Sequence, residues 1–433
     1  MAEVMLAVMP FAGHVAPMRA VVRAFIAAGH RVRVYTGSAH TDAFRADGAE
    51  PVLWEKAPDF DENDLPATFP RLRGRKGIRQ LIVNVEDLFV RTGAAQCADL
   101  MASFDARPWD VVLADSLSLG AHLAAERTGT PRVTVSLVPL ATPSPGAPPP
   151  GLGLQPATSA LGRLRDRALW AALSAASRPI QRAFHEQRSV AGLPPTELSF
   201  QEALYSRELV CASGVVQLEY PRPQWPGRIV WVGELTDHAG SGIPEPSWWP
   251  ESLADPGPVV HVTQGTQNVD PADLIRPTFA ALGRQRVQLA VATGVRGHSE
   301  LPFPAPPNAR VADLLPYDRL LPRVDVMVTN GGWGGVLAAL HHGVPLVVAG
   351  GDLDKPEVAA RVAWAGAGVN LRTGRPSPRA ILRAWKRVSG RPAYRTVAER
   401  IGEALRRHDG PREVVEHTES LLPGCASRLA RGC

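Results

Sequence analysis

Val326-Met327-Val328-Thr329-Asn330-Gly331-Gly332-Trp333-Gly334-Gly335-Val336-Leu337-Ala338-Ala339-Leu340 decides how this chain folds. Val326 to Val328 is a short apolar run, bounded by Asp325, with the pattern of a strand covered on both faces. Four glycines then fall within residues 331–335, and an apolar helical stretch follows. Such a turn lets backbone N–H groups converge without Cβ obstruction, and the helix behind it turns its positive end to the same spot. An anion, phosphate above all, fits there. For a lone Gly-Gly pair, glycines that serve packing alone would be the better reading.

The residues downstream favour the anion site. After Gly343-Val344, Pro345-Leu346-Val347-Val348-Ala349 reads as a second apolar strand, and Gly350-Gly351-Asp352-Leu353-Asp354-Lys355-Pro356-Glu357 as a polar loop beyond it. Two strand ends, a helix N-terminus and the Asp352 and Asp354 carboxylates then meet at the carboxyl edge of a parallel sheet, where α/β folds place ligands. Phosphates on the helix end and sugar hydroxyls on the carboxylates make a coherent chemistry.

At 433 residues, with 45% hydrophobic and 21% charged residues, the chain is expected to form two soluble globular domains. No run has the length of a spanning helix, and Met1-Ala2-Glu3-Val4 lacks the basic start of a signal peptide, so a cytoplasmic protein is expected. Cys97, Cys211, Cys425 and Cys433 lack metal-ligand spacing, which speaks against zinc and disulfides. The net charge of +5 comes from dispersed arginines rather than a basic helix with interleaved aromatics, so nucleic acid is not an expected partner.

Along the chain, strand Glu3 to Met9, the turn Pro10–Pro17, helix Met18 to Ala28 and strand Arg31 to Thr36 open a βαβ series, followed by helix Ala39 to Asp47. Glu55 to Lys76 reads as loop, and Gly77 to Phe104 as one long helix. Strand Trp109 to Ala114 ends at Asp115, a helix runs from Leu117 to Arg127, and strand Arg132 to Leu137 follows. Ala141 to Gly153 is loop, and Leu161 to Val190 is a long helical stretch. Strands at Leu209–Cys211 and Ile229–Val232 close the first half, and a Pro- and Gly-rich linker leads to the strand that starts at Pro258. Val287 to Ala292 is a further strand, and Arg379 to Leu422 is helical.

His14 stands after a strand and beside Gly13, at the mouth of a helix whose positive end disfavours imidazolium and keeps the ring a neutral proton acceptor. By position alone, a base and a packing or capping histidine are equally good readings. Asp115 ends a strand at the same carboxyl edge. It suits either an orienter of the imidazole or a cap for the next helix, and its register with His14 favours the orienter.

The glycine block, with Gly343-Val344-Pro345 and Asp354-Lys355, resembles the donor signature of GT-B glycosyltransferases, in the bacterial natural-product branch of the UDP-glycosyltransferase superfamily. The family pattern is roughly Thr-His-Gly-Gly-x-Gly-Ser/Thr, a helix, Gly-Val-Pro, a strand, then Asp/Glu-Gln. Asn330 stands here for the His, Gly335 for the Ser or Thr, and Lys355 for the Gln. Gly13-His14-x-x-Pro17 resembles the family's acceptor-activating motif, and Thr263-Gln264-Gly265-Thr266 its Ser-x-Gly-Ser turn. Leu314-Leu315-Pro316-Tyr317 lies at the spacing where the family holds the nucleobase, with a core loop an equally good reading.

The resemblance implies an α/β GT-B protein with two Rossmann-like domains whose parallel sheets face a cleft. The acceptor domain would be 1–236, the linker 237–257 and the donor domain 258–414, with a last helix within 415–433 packing back on the first domain. It implies His14 as general base with Asp115, and Phe11 and Gly13 on the acceptor side. The donor side would take Gly265, Thr266, Leu315, Asn330, Gly331, Gly332, Trp333, Gly334, Gly335, Asp354 and Lys355. The reaction would be inverting and need neither metal nor cofactor. It would move a sugar from a UDP- or TDP-sugar to a hydrophobic small-molecule acceptor, in a monomer or homodimer. A sugar-nucleotide 2-epimerase and a silent homologue that activates a partner are the rival readings. The long helical insertions before residue 204 oppose the first, and the His14–Asp115 pair opposes the second.

Overall fold

A computed structural model describes residues 1–74, 77–144, 146–221, 227–236, 242–249, 257–265 and 270–422. Thr266, Cys425 and Cys433 therefore lie outside the described residues, as does the tail beyond 422. The strands are β1 Glu3–Ala7, β2 Arg31–Thr36, β3 Glu50–Leu53, β4 Val111–Asp115, β5 Arg132–Ser136, β6 Leu209–Ala212 and β7 Ile229–Trp231 in the first half. In the second they are β8 Val259–Thr263, β9 Gln288–Ala292, β10 Ala309–Ala312, β11 Val326–Thr329, β12 Leu346–Val348 and β13 Gly368–Asn370. They form two all-parallel sheets, ordered β3-β2-β1-β4-β5-β6-β7 and β10-β9-β8-β11-β12-β13. The direction of winding reverses between β1 and β4 in one sheet and between β8 and β11 in the other. Crevices open at such reversals, beyond the carboxyl ends of the strands.

Each sheet is buried on both faces, as its apolar central strands require. In β1, Met5 and Ala7 join one apolar cluster, while Val4 and Leu6 join the cluster on the opposite face. In β11, Met327 and the pair Val326 and Val328 divide in the same way. The helix Gly410–Glu419 sends Val414 and Val415 into the cluster that holds Val15, Val22 and Phe25, so it packs on the first domain. This return helix starts five residues before the expected 415.

Three strands differ from expectation: β3, β10 and β13 were not legible, and all three are sheet edges. The expected helix 77–104 is broken. Helix Gly77–Asn84 passes into a π-helical turn, Val85–Val90, and a new helix runs Gly93–Ala106. Glu86 and Asp87 are buried there and paired with Arg71 and Arg91. The stretch 161–190 divides into Ala160–Ala176 and Arg178–Val190, with Pro179 in the first turn of the second helix. Lys355 opens the helix Lys355–Ala365 with Pro356 beside it, where a polar loop was expected.

Candidate active site

The switch point of the first sheet holds the His14–Asp115 pair. Phe11 is the N-cap of helix Ala12–Ala27, so His14 lies within the first helical turn rather than in the loop ahead of it. Its Nδ1 is 2.6 Å from Asp115 Oδ2. Asp115 is the last residue of β4, and its side chain is fully buried. Oδ2 also accepts from the Met9 N–H at 3.2 Å, and Oδ1 from the Leu117 N–H at 2.9 Å. One carboxylate thus does both jobs considered for it: it orients the imidazole and secures the turn that leads into the next helix. Because it only accepts, it holds the proton on Nδ1 and leaves Nε2 as the basic nitrogen of the neutral ring.

Electrostatics correct the expectation of a weakly basic ring. Burial disfavours the imidazolium, but the Asp115 charge and hydrogen bond oppose it, with help from Asp354 and Glu62, and the net shift of His14 is upward. The helix end is not bare, because both oxygens of Glu62 lie 3.1 Å from the Ala12 N–H. Phe11 lines the same corner, its ring 5.7 Å from that of His14, 5.2 Å from Phe60 and 6.1 Å from Phe89. Gly13 is exposed, with open space where a Cβ would stand.

The switch point of the second sheet brings together the turns after β8 and β11. Gly265 has φ +77°, and a Cβ there would meet Asn330 Nδ2 at 2.9 Å. The Asn330 amide donates to the Gln264 carbonyl and accepts from the Gly332 N–H at 3.3 Å. Asn330 therefore ties the two turns together, and one of its two N–H groups is already engaged. Gly331 has φ +93°, and a Cβ would meet Val348 Cγ1 at 2.8 Å, so only glycine fits. Helix Trp333–His341 starts behind Gly332, and its first intrahelical bond is Val336 N–H to Gly332 O. The N–H groups of Trp333, Gly334 and Gly335 thus precede the ladder, as at any helix start. Gly334 faces open space, and the nearest atom to a Cβ on Gly335 is Met327 Cε at 3.7 Å.

Two expected donor residues place their side chains elsewhere. The Trp333 indole leaves the turn and donates to Ser213 Oγ of the first domain at 2.9 Å, packed on Gly214. Only its backbone stays at the helix end. Leu315 is 3% exposed and belongs to the second-domain core, so the core reading describes its side chain. Below it, Tyr317 Oη and His261 Nε2 are 3.1 Å apart, and burial pushes His261 down to about 4.

Lys355 lies beside Gly331, and its Nζ donates to Asp352 Oδ1 at 3.2 Å. Asp354 is the N-cap of the same helix; burial raises its carboxyl above the usual range, against the pull of Lys355. Asp354 and His14 act on one another electrostatically, which couples the donor-side loop to the candidate base. About two turns further along that helix, Arg361 bridges the two domains. It donates to Glu219 at 2.9 Å, to Glu357 at 2.8 Å and to the Leu140 carbonyl at 3.2 Å, and it stacks 4.5 Å from the Tyr220 ring centroid. Glu357 in turn accepts from the Gly151 and Gly153 N–H groups at 3.0 and 2.9 Å. Sequence reasoning missed Glu62, Glu357 and Arg361. The only available signal was the Glu357/Arg361 spacing of four, which marks one helix face.

Among the described residues, no three His, Cys, Asp or Glu side chains are grouped to hold a metal ion, and no helix is long and apolar enough to cross a membrane. Residues 287–421 match the family described as erythromycin biosynthesis protein CIII-like, C-terminal domain. CalG4, the calicheamicin glycosyltransferase, shares the fold with a TM-score of 0.72 at 21% identity, over 97% of this chain and 98% of that one. The spinosyn rhamnosyltransferase SpnG complexed with thymidine diphosphate gives 0.67 at 20% identity, over 97% and 100%. UDP-glucosyltransferase A1 of Starmerella bombicola is 31% identical over 444 residues, covering 95% of this chain and 91% of its own. 4'-Demethylrebeccamycin synthase of Lentzea aerocolonigenes is 38% identical over 423 residues, 97% of this chain and 100% of its own. Likeness of that degree along both whole chains, on two facing parallel sheets, means that this chain belongs to the GT-B glycosyltransferases of natural-product biosynthesis.

Proposed function

We propose that this enzyme transfers a sugar, with inversion and without a metal ion, from a UDP- or TDP-sugar to a hydroxyl or similar nucleophile of a hydrophobic small molecule. The observation that carries the reading is the 2.6 Å His14–Asp115 contact at the switch point of the first sheet. The acceptor oxygen attacks the anomeric carbon while its proton passes to Nε2 of His14, and Asp115 stabilises the imidazolium that forms. The bond from the anomeric carbon to the phosphate oxygen breaks, and the nucleoside diphosphate leaves with the electron pair. First-turn amides of helix Trp333–His341, the free N–H of Asn330 and the Lys355 charge offset the charge on that leaving group. Phe11 and its aromatic neighbours give the acceptor side an apolar wall.

Relatives named as UDP-glucosyltransferases, and a neighbour solved with thymidine diphosphate, support a uridine or thymidine donor. The relative named as a 4'-demethylrebeccamycin synthase supports a natural-product acceptor. Thermal shifts with UDP-, TDP- and GDP-sugars, followed by turnover with and without an aglycone, test the assignment. Stabilisation by UDP- or TDP-sugars and turnover only with an aglycone, unchanged by a chelator, are expected. Loss of turnover with chelator and recovery with Mg²⁺ would overturn the metal-free leaving-group account.

A further inference from the structure

We infer that Glu62 is a positioning residue of the acceptor site, a carboxylate brought in from a distant loop to cap and charge the helical turn that carries His14. The inference rests on the reading of His14 as the base. Helix Ala12–Ala27 has no cap of its own: the N-cap Phe11 offers no side-chain acceptor, and no acidic residue stands in its first turn. Glu62 supplies both from 50 positions away, with Oε1 and Oε2 each 3.1 Å from the Ala12 N–H. Ala12 is the first residue of the helix and His14 the third, so the carboxylate sits within a turn of the imidazole.

The loop that carries Glu62 is itself held in place. Phe60 packs 5.2 Å from Phe11, 5.7 Å from Trp54 and 5.6 Å from Phe69, and Asp59 accepts from the Ser38 N–H at 3.0 Å. A bare helix end would repel a proton on His14, which the base must accept in the transition state. The Glu62 charge opposes that repulsion from the helix start. The charged groups acting on His14 come from three elements: Asp115 at the end of β4, Asp354 at the helix start of the other domain, and Glu62 from the loop. Asp115 orients the ring, Asp354 belongs to the donor loop, and Glu62 alone acts through the helix backbone.

Glu62→Gln keeps an oxygen that can cap Ala12 and removes the charge, whereas Glu62→Ala removes both. The titration of the His14 ring, followed by NMR in the full-length enzyme, is compared with the pH profile of kcat/KM. For Glu62→Gln the midpoint of the ring should fall by roughly 0.2–0.7 pH unit, the size expected of one partly exposed charge near a helix end, with nucleotide affinity unchanged. The acidic limb of the pH profile should move down with it. Glu62→Ala should lower kcat as well, through the lost cap, and Glu62→Asp should restore part of the titration shift. An unchanged His14 midpoint in folded Glu62→Gln enzyme overturns the inference. A shifted midpoint with an unmoved activity profile instead upholds the role of Glu62 and overturns His14 as the base, so the two failures are distinct.

Discussion

His14 is useful as a base only if its proton affinity suits the task, and its neighbours set that affinity. Burial opposes the imidazolium, and the carboxylates of Asp115, Asp354 and Glu62 more than offset it. A raised histidine is protonated, and therefore inactive as a base, up to a higher pH. Turnover should then fall with decreasing pH through a midpoint above the ordinary imidazole value of 6.5. A rate profile flat from pH 5 to 9 would contradict this. Asp115→Asn removes the largest charge favouring the imidazolium and lets the ring adopt the wrong tautomer. Turnover should drop by ~10²-fold or more, with the remaining acidic limb displaced to lower pH. An unchanged rate would return Asp115 to its bonds with Met9 and Leu117 alone.

At the scale of elements, the central strands were legible because each is a run of apolar residues buried on two faces. Three of the four edges were not: β3 contains Pro51 and is only half-buried, β13 is the three residues Gly368–Asn370, and β10 is the short run Ala309–Ala312. Short, polar, proline-bearing strands are what an exposed sheet edge tolerates, and they leave little pattern in the sequence. The candidate site was legible where one local motif holds it, with His14 after Gly13 and the glycine turn at the ends of the expected strands. Glu62 was hidden because only the fold brings residues 12 and 62 together. The contacts of Asn330 with the Gln264 carbonyl and of Trp333 with Ser213 were hidden because those partners lie on other elements. Asn330→Ala should weaken UDP or TDP binding and also lower stability by about 1–3 kcal/mol, since the Gln264 carbonyl and the Gly332 N–H lose their partner. Calorimetry and thermal melting check both effects, and a variant that melts and binds like wild type would remove Asn330 from the turn. Gly331→Ala should cost more than about 1 kcal/mol, because its φ of +93° and the nearby Val348 both exclude a Cβ.

At the scale of the whole molecule, one domain carries the His14–Asp115 pair and the other the glycine turn. The Glu219–Arg361–Glu357 network fixes their relation, with both Glu219 and Arg361 almost fully buried. Buried charges add little net stability when paired, but breaking such a set by removing one partner typically costs about 3–5 kcal/mol. Arg361→Met should show that loss in denaturant melts, together with reduced turnover, and adding Glu219→Gln and Glu357→Gln should recover much of the stability. Unaltered stability in Arg361→Met would mean that the network does not hold the domains. The central claim, a His14 base acting across the cleft on a donor bound by the other domain, is tested most directly by His14→Ala. Its turnover is to be measured beside calorimetric binding of UDP and TDP. Transfer should fall by ~10²–10⁴-fold while nucleotide affinity stays at the wild-type level. Wild-type turnover, or a matching loss of nucleotide binding, would contradict it.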